Sequence, residues 1–226
     1  MSDHLAHVRA DADAVLAVLS MADGTEPVAA CPGWTLHDLV GHLGGVHRWA
    51  RDIVLTERPG PEPAPEGDLA TWFAEGAAAL LETLAAADPA AGTWSFTTDR
   101  TVGFWRRRQA LETVVHRWDA QSAVGQPEPI DPSLAADGIG EVAELMLPRQ
   151  VAKERIPPLP GAVRVTATDV EASYVLGDGE PAATVSAPAE LLLLLLWQRV
   201  GPADPRLRIA GDAALADQVL RLSLAP

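Results

Sequence analysis

The spacing of apolar residues changes about two thirds of the way along this chain, and the change marks two kinds of architecture. From Leu5 through Val8, Ala12, Val15, Leu16 and Leu19 the apolar positions recur every three or four residues, the period of one helix face. A second helix is predicted after "CPGW". Thr35 suits an N-cap, Asp38 three residues on resembles a capping box, and Leu36, Leu39, Val40, Leu43, Val46, Ala50, Ile53 and Val54 carry the stripe onward. "RPGPEPAPEG", residues 58–67, is too rich in proline for regular structure and reads as a loop. A third helix fits Leu69 to Ala86, a fourth runs from about Phe104 to Val124, and a fifth from Leu134 to Leu147 is expected to stop at Pro148. Long helices joined in this way predict an up-and-down four-helix bundle.

Behind "RIPPLPG" the period shortens to two. "AVRVTATDV" and "ASYVLGDG" alternate apolar and polar residues with β-branched side chains, and "GDG" at 177–179 is a hairpin-turn signal. "ATVSA" reads as a third strand, the Leu-rich run as a helix, "RLRIAG" as a strand and Ala213 to Leu222 as a closing helix. The fold class is therefore α+β: a helical bundle over residues 1–150, then a small α+β domain over 158–226.

Composition narrows the partners. With 226 residues, 48% of them hydrophobic, the chain can bury a full core. Its net charge of -14 and the lack of a basic stripe argue against nucleic acid. Cys31 is the one cysteine, so an internal disulfide and a multi-cysteine zinc site are excluded, and metal ligands must be His and carboxylate. "AELLLLLLW", 189–197, is far shorter than the roughly 18 apolar residues of a membrane span and reads as a buried helix. The acidic start "MSDHLAHVRADADAV" lacks the basic and apolar regions of a signal peptide, so a cytoplasmic protein with no membrane partner is expected.

The candidate chemistry sits in "LETVVHRWDA". On a helix, Glu112, His116 and Asp119 share one face, which must bury something polar or stay solvated. His42 lies mid-helix on another segment that is otherwise apolar, and inward ligands from facing helices are how bundles build metal sites. Two imidazoles and a carboxylate suit zinc and leave a fourth position open. On spacing alone a solvated face or a core histidine with a backbone partner fits better than a ligand set. Gly44 and Gly45, each costing about 1 kcal/mol inside a helix, add that something needs room beside His42.

"CPGWTLHDLVGHLGGVHRWA" and "RRRQALETVVHRWDAQSAVG" resemble the two hallmark segments of the maleylpyruvate isomerase family of mycothiol-dependent enzymes, a branch of the DinB-like metal-binding bundles. "ELLLLLLWQR" followed by "LRIAGDAALADQVL" is similar to that family's sterol-carrier-like C-terminal domain, so the resemblance spans nearly the whole chain. By position it implies His42, Glu112 and His116 as metal ligands, zinc as the metal and mycothiol as the thiol cofactor. A thiol is a modest nucleophile until coordination to a dication deprotonates it. The implied function is thus an isomerase or S-transferase that presents mycothiol as a metal-bound thiolate to a small electrophile. The alternative is a non-catalytic metal-binding or small-molecule-binding protein on the same bundle.

Other residues divide between two roles. Asp119 either fixes the tautomer of His116 or is a solvated acid at the helix edge; Arg108 either orients Glu112, binds a substrate carboxylate or forms an ordinary surface ion pair. Arg48, Arg106 and Arg107 share that ambiguity, and Arg199 is a candidate for substrate binding. His37 and His47 lie five residues either side of His42, roughly 140° around the helix, and are expected off the site. Trp34, Trp49, Trp105 and Trp118 are expected to pack the bundle, and Trp105 and Trp118 could wall a pocket. Nucleotide-binding, zincin and serine-hydrolase motifs are absent. No motif encodes the substrate or the oligomeric state.

Overall fold

A computed structural model describes residues 3–225; Met1, Ser2 and Pro226, which end the two sequence-predicted domains, lie outside the described residues. The chain forms two compact units that divide between Glu128 and Pro129.

The first unit is built from α1 (His4–Met21), α2 (Leu36–Thr56), α3 (Leu69–Ala86) and α4 (Val102–Ala123). Each starts where its sequence supplies a cap. The Asp3 and Asp68 carboxylates accept from Ala6 N and Thr71 N, Thr101 accepts from Phe104 N, and Thr35 and Asp38 complete the predicted capping box. The helices form a four-cornered bundle in which α1 packs on α3 and α4, and α2 packs on the same two. Val8, Val15, Leu36, Leu39, Leu43, Phe73, Leu80, Leu84, Leu111 and Val114 fill its interior.

The α4 helix is the polar helix at the centre. Arg108, Gln109, Thr113, His116, Arg117, Asp119 and Gln121 are all buried along it, and all but Gln109, whose amide atoms make no hydrogen bond, have a polar partner within the bundle. At one end, Arg117 donates to Asp11 of α1 (3.1 Å), to Gln121 (2.9 Å) and to the Glu128 carbonyl (2.6 Å).

The second unit holds a four-stranded sheet ordered β2-β1-β3-β4, from β1 (Val163–Ala167), β2 (Ser173–Leu176), β3 (Ala183–Ala187) and β4 (Arg208–Gly211). Val163, Val165, Ala167, Ala183, Val185 and Ala187 alternate onto its buried face. The helices α7 (Ala189–Leu196) and α8 (Ala213–Leu220) pack against the sheet. The Leu-rich run is thus a buried eight-residue helix, and among the described residues no helix is long and apolar enough to cross a membrane.

Three local expectations are corrected. The fifth helix, α5 (Pro132–Glu141), packs on α7 in the second unit, so the contact boundary lies at 128/129 rather than between 150 and 158; its apolar face, Leu134, Ala135 and Ile139, is buried there. The helix also does not stop at Pro148. A π-turn at Val142–Met146 leads into α6 (Leu147–Ala152), where Pro148 occupies the first turn and its missing N–H is tolerated. Finally, "GDG" makes a turn, with Gly177 at φ 88° and Gly179 at φ 94°, but no hairpin. β2 pairs antiparallel with β1, and the chain then crosses over so that β3 pairs parallel with β1.

Candidate metal centre

Facing positions of α2 and α4 bring His42, Glu112 and His116 together. One donor atom from each lies within 4.8 Å of the other two. Glu112 Oε1 is 3.1 Å from His116 Nε2 and 3.6 Å from His42 Nε2, and the two imidazole rings stand at 89° with centroids 5.4 Å apart. A tetrahedral ion bound at about 2.0–2.1 Å sets neighbouring donors roughly 3.3–3.5 Å apart. Two imidazoles and a carboxylate at these spacings fit a zinc-like cation with a position left for an exogenous ligand.

The outer atoms of the same side chains are held from behind. His116 Nδ1 lies 3.0 Å from Asp119 Oδ2, so Asp119 is a buried partner of His116 and not a solvated acid. Glu112 Oε2 accepts from the Arg108 guanidinium, itself buried, which leaves Oε1 for the centre. Arg108 therefore orients Glu112 within the bundle, and the surface-pair alternative does not apply. Burial works against the charge on Glu112, yet Arg108 and His116 outweigh it and hold the carboxyl well below the usual carboxylate range. Burial also opposes a charge on His116, but Glu112 and the Asp119 bond raise it to about 9.

The centre opens to solvent on the His42 side. A hollow of about 650 Å³ is lined by Gly33, Trp34, His37, Asp38, Gly41, His42 and Pro65. Trp34 meets His42 edge-on at 5.1 Å, held at the start of α2 by the turn through Gly33 (φ 86°) and by Val28 N donating to its carbonyl at 2.9 Å. The Trp34 ring thus walls the site instead of only packing the bundle. His37, expected off the site, lies on the rim of this hollow because the residues before α2 and the loop after it widen it beyond one helix face.

His47 is fully buried, with Nε2 3.0 Å from Thr113 Oγ1. Thr113 Oγ1 donates to the Gln109 carbonyl at 2.6 Å, so it accepts from His47, whose ring carries its proton on Nε2. Burial pushes its pKa down to about 3, and the ring is neutral. Trp105 is buried, donating to the Trp94 carbonyl, and Trp118 is half-buried. Arg106 caps the end of α3 through the Leu84 and Ala87 carbonyls, and Arg48 lies over the Trp72 ring. In the second unit Arg199 donates to the Trp197 carbonyl at 2.8 Å. Cys31 is half-buried against the bundle core.

The glycines beside His42 have separate explanations. A Cβ on Gly44 would run into the Trp72 ring of α3. One on Gly45 would come within 2.6 Å of Glu62 Oε1 and 2.9 Å of the Pro63 carbonyl, both in the proline-rich loop. That loop, which its sequence marks only as irregular, brings Glu62 Oε1 to 3.4 Å from His42 Nδ1.

Comparison with known proteins agrees with this architecture. Residues 5–121 match the family described as mycothiol maleylpyruvate isomerase N-terminal domain, and residues 133–218 match its C-terminal domain. Uncharacterised proteins of Mycobacterium tuberculosis strains CDC 1551 / Oshkosh and ATCC 25618 / H37Rv are each 30% identical over 155 residues, 66% of this chain and 82% of the relative. Two crystal structures of the mycothiol-dependent maleylpyruvate isomerase, one of an alanine mutant, share the fold over 92% of both chains, with TM-scores of 0.67 and 0.63 at 11% identity. The two matched domains together span the helical bundle and the sheet-bearing unit, and the chain belongs to the mycothiol maleylpyruvate isomerase family.

Proposed function

We propose that this protein is a metal-dependent enzyme that uses mycothiol in isomerisation of, or S-transfer to, a small electrophilic substrate, with His42, Glu112 and His116 holding the metal. One observation carries the reading: two imidazole nitrogens and a carboxylate oxygen from two helices converge within 4.8 Å, each braced on its far side. Membership of a family named for a mycothiol enzyme, and a fold shared with crystal structures of the mycothiol-dependent maleylpyruvate isomerase, support the choice of thiol. A zinc ion at these residues would supply Lewis acidity that lowers a thiol pKa, making it a nucleophile at neutral pH.

The remaining work falls to the chain itself. Asp119 fixes His116 with Nε2 inward, and Arg108 keeps Glu112 ionised and turned toward the centre. The apolar bundle behind α4 excludes water from the inner side, while the hollow lined by Trp34 and Pro65 admits ligand from the outer side. With Cys31 half-buried against the core, a bound small molecule is the natural source of a reactive sulfur.

The test is metal content by mass spectrometry on protein purified without a histidine tag, beside the His116→Ala variant. About one zinc per chain, lost in the variant, is the expected result, and a mycothiol titration followed by isothermal calorimetry then checks the thiol. No metal after reconstitution would reduce the trio to a polar seam in the bundle.

A further inference from the structure

We infer that Glu62, in the proline-rich loop between α2 and α3, is a positioning residue for the centre: it holds the outer nitrogen of His42 as Asp119 holds that of His116. The inference rests on the proposed metal reading of His42, Glu112 and His116.

The geometry is specific on both sides of the contact. Glu62 Oε1 lies 3.4 Å from His42 Nδ1, while His42 Nε2 faces Glu112 Oε1 at 3.6 Å. A carboxylate on Nδ1 keeps the proton there and the Nε2 lone pair inward, and it raises the basicity of the ligand nitrogen. Asp119 makes a closer, hydrogen-bonded contact to His116 Nδ1 at 3.0 Å, so each imidazole of the trio has an acid at its back. Even with Glu62 in place His42 is the more exposed imidazole, with 30% of its side chain open to solvent against 8% for His116. It has more to lose from free rotation.

The loop does not reach His42 by chance. It lies along one stripe of α2 whose residues are small where the loop is close. A Cβ on Gly41 would meet Pro65 Cγ at 3.0 Å, and one on Gly45 would meet Glu62 Oε1 at 2.6 Å. One turn further, Trp49 Nε1 donates to the Gly60 carbonyl at 2.9 Å. Residues 41, 45 and 49 are spaced by single helix turns, so they form a track beside His42. Four prolines between 58 and 67 stiffen the segment, and less entropy is lost when it docks. Glu62 is therefore carried to His42 on a pre-extended strap and not by a free side chain on a flexible loop.

The test measures zinc affinity by competition with a chromophoric chelator, alongside the melting temperature of the metal-free protein. Removing an outer partner of a metal-bound histidine typically costs 10–100-fold in affinity. Glu62→Ala is expected to weaken zinc by about that factor and to leave the metal-free melting temperature unchanged, because 43% of the Glu62 side chain is exposed. Glu62→Gln keeps an acceptor oxygen for Nδ1–H and should recover part of the loss, whereas a merely structural contribution of the loop would lower the metal-free melting temperature of Glu62→Ala. Wild-type affinity in Glu62→Ala would overturn the positioning role while leaving the trio as a metal site. A wild-type protein that binds no zinc would overturn both.

Discussion

At the scale of single residues, the bundle interior is organised by which polar atoms have partners. His47 is neutral and buried, donates to Thr113 and has a pKa pushed down to about 3 against an ordinary value of 6.5. Between those values the unfolded chain binds a proton that the folded one refuses, so stability is full above about pH 6.5 and is lost as pH falls toward 3. The limiting slope is about 1.4 kcal/mol per pH unit. In urea titrations from pH 7 to 4, a His47→Gln variant should be less stable at pH 7 yet lack this part of the acid loss. Parallel pH profiles for the two proteins would show that His47 charges in the fold. Some of this was visible beforehand: Glu112, His116 and Asp119 on one face, with His42 on another helix, could be read from spacing and from the family pattern. Which atoms of those side chains turn inward, and that Arg108 braces Glu112 inside the bundle, depend on neighbours that periodicity does not specify.

At the scale of elements, α4 explains why a helix so rich in charge can be interior. Its buried Arg117 ties α1 to the end of the unit through Asp11, Gln121 and the Glu128 carbonyl. Burial tends to raise the Asp11 pKa, and the Arg117 guanidinium opposes it. Truncating one partner of a buried pair strands the other, at a cost of roughly 3–5 kcal/mol. Arg117→Ala is therefore expected to lower the urea midpoint sharply, whereas replacing both Asp11 and Arg117 by apolar residues of similar volume should restore much of the loss. Equal destabilisation in the single and double variants would argue that the pair is not the source. The sequence marked the start of α2 well because a cap is local chemistry: Thr35 with Asp38. It misplaced the fifth helix and the "GDG" connection. An apolar stripe states that a face is buried without stating against what, and a glycine turn states that the chain bends without stating which strand it joins.

At the scale of the whole molecule, the three candidate ligands fall within the first unit, so the proposed metal binding would be coupled to the folding of the bundle. Zinc at about 1,000 times its dissociation constant adds roughly 4 kcal/mol to the folded state. Scanning calorimetry of metal-free protein with and without excess zinc should show a transition moving up by several degrees, and the His42→Ala variant should lose that shift. A midpoint indifferent to zinc would count against a metal role for the trio.

What the sequence determined by itself is whatever local rules encode. Those are the helical and then β periodicity, the cap of α2, the too-short apolar run and the residue types able to bind a cation. What only the tertiary structure decided is juxtaposition across sequence distance. The 70 or so residues between His42 and Glu112 carry no spacing rule, and their approach is set by how α2 packs on α4. The same holds for Trp34 at the mouth and for Glu62, whose loop reads as featureless because its partners are glycines on another element. A missing side chain becomes a signal only when the backbone that fills its place is seen.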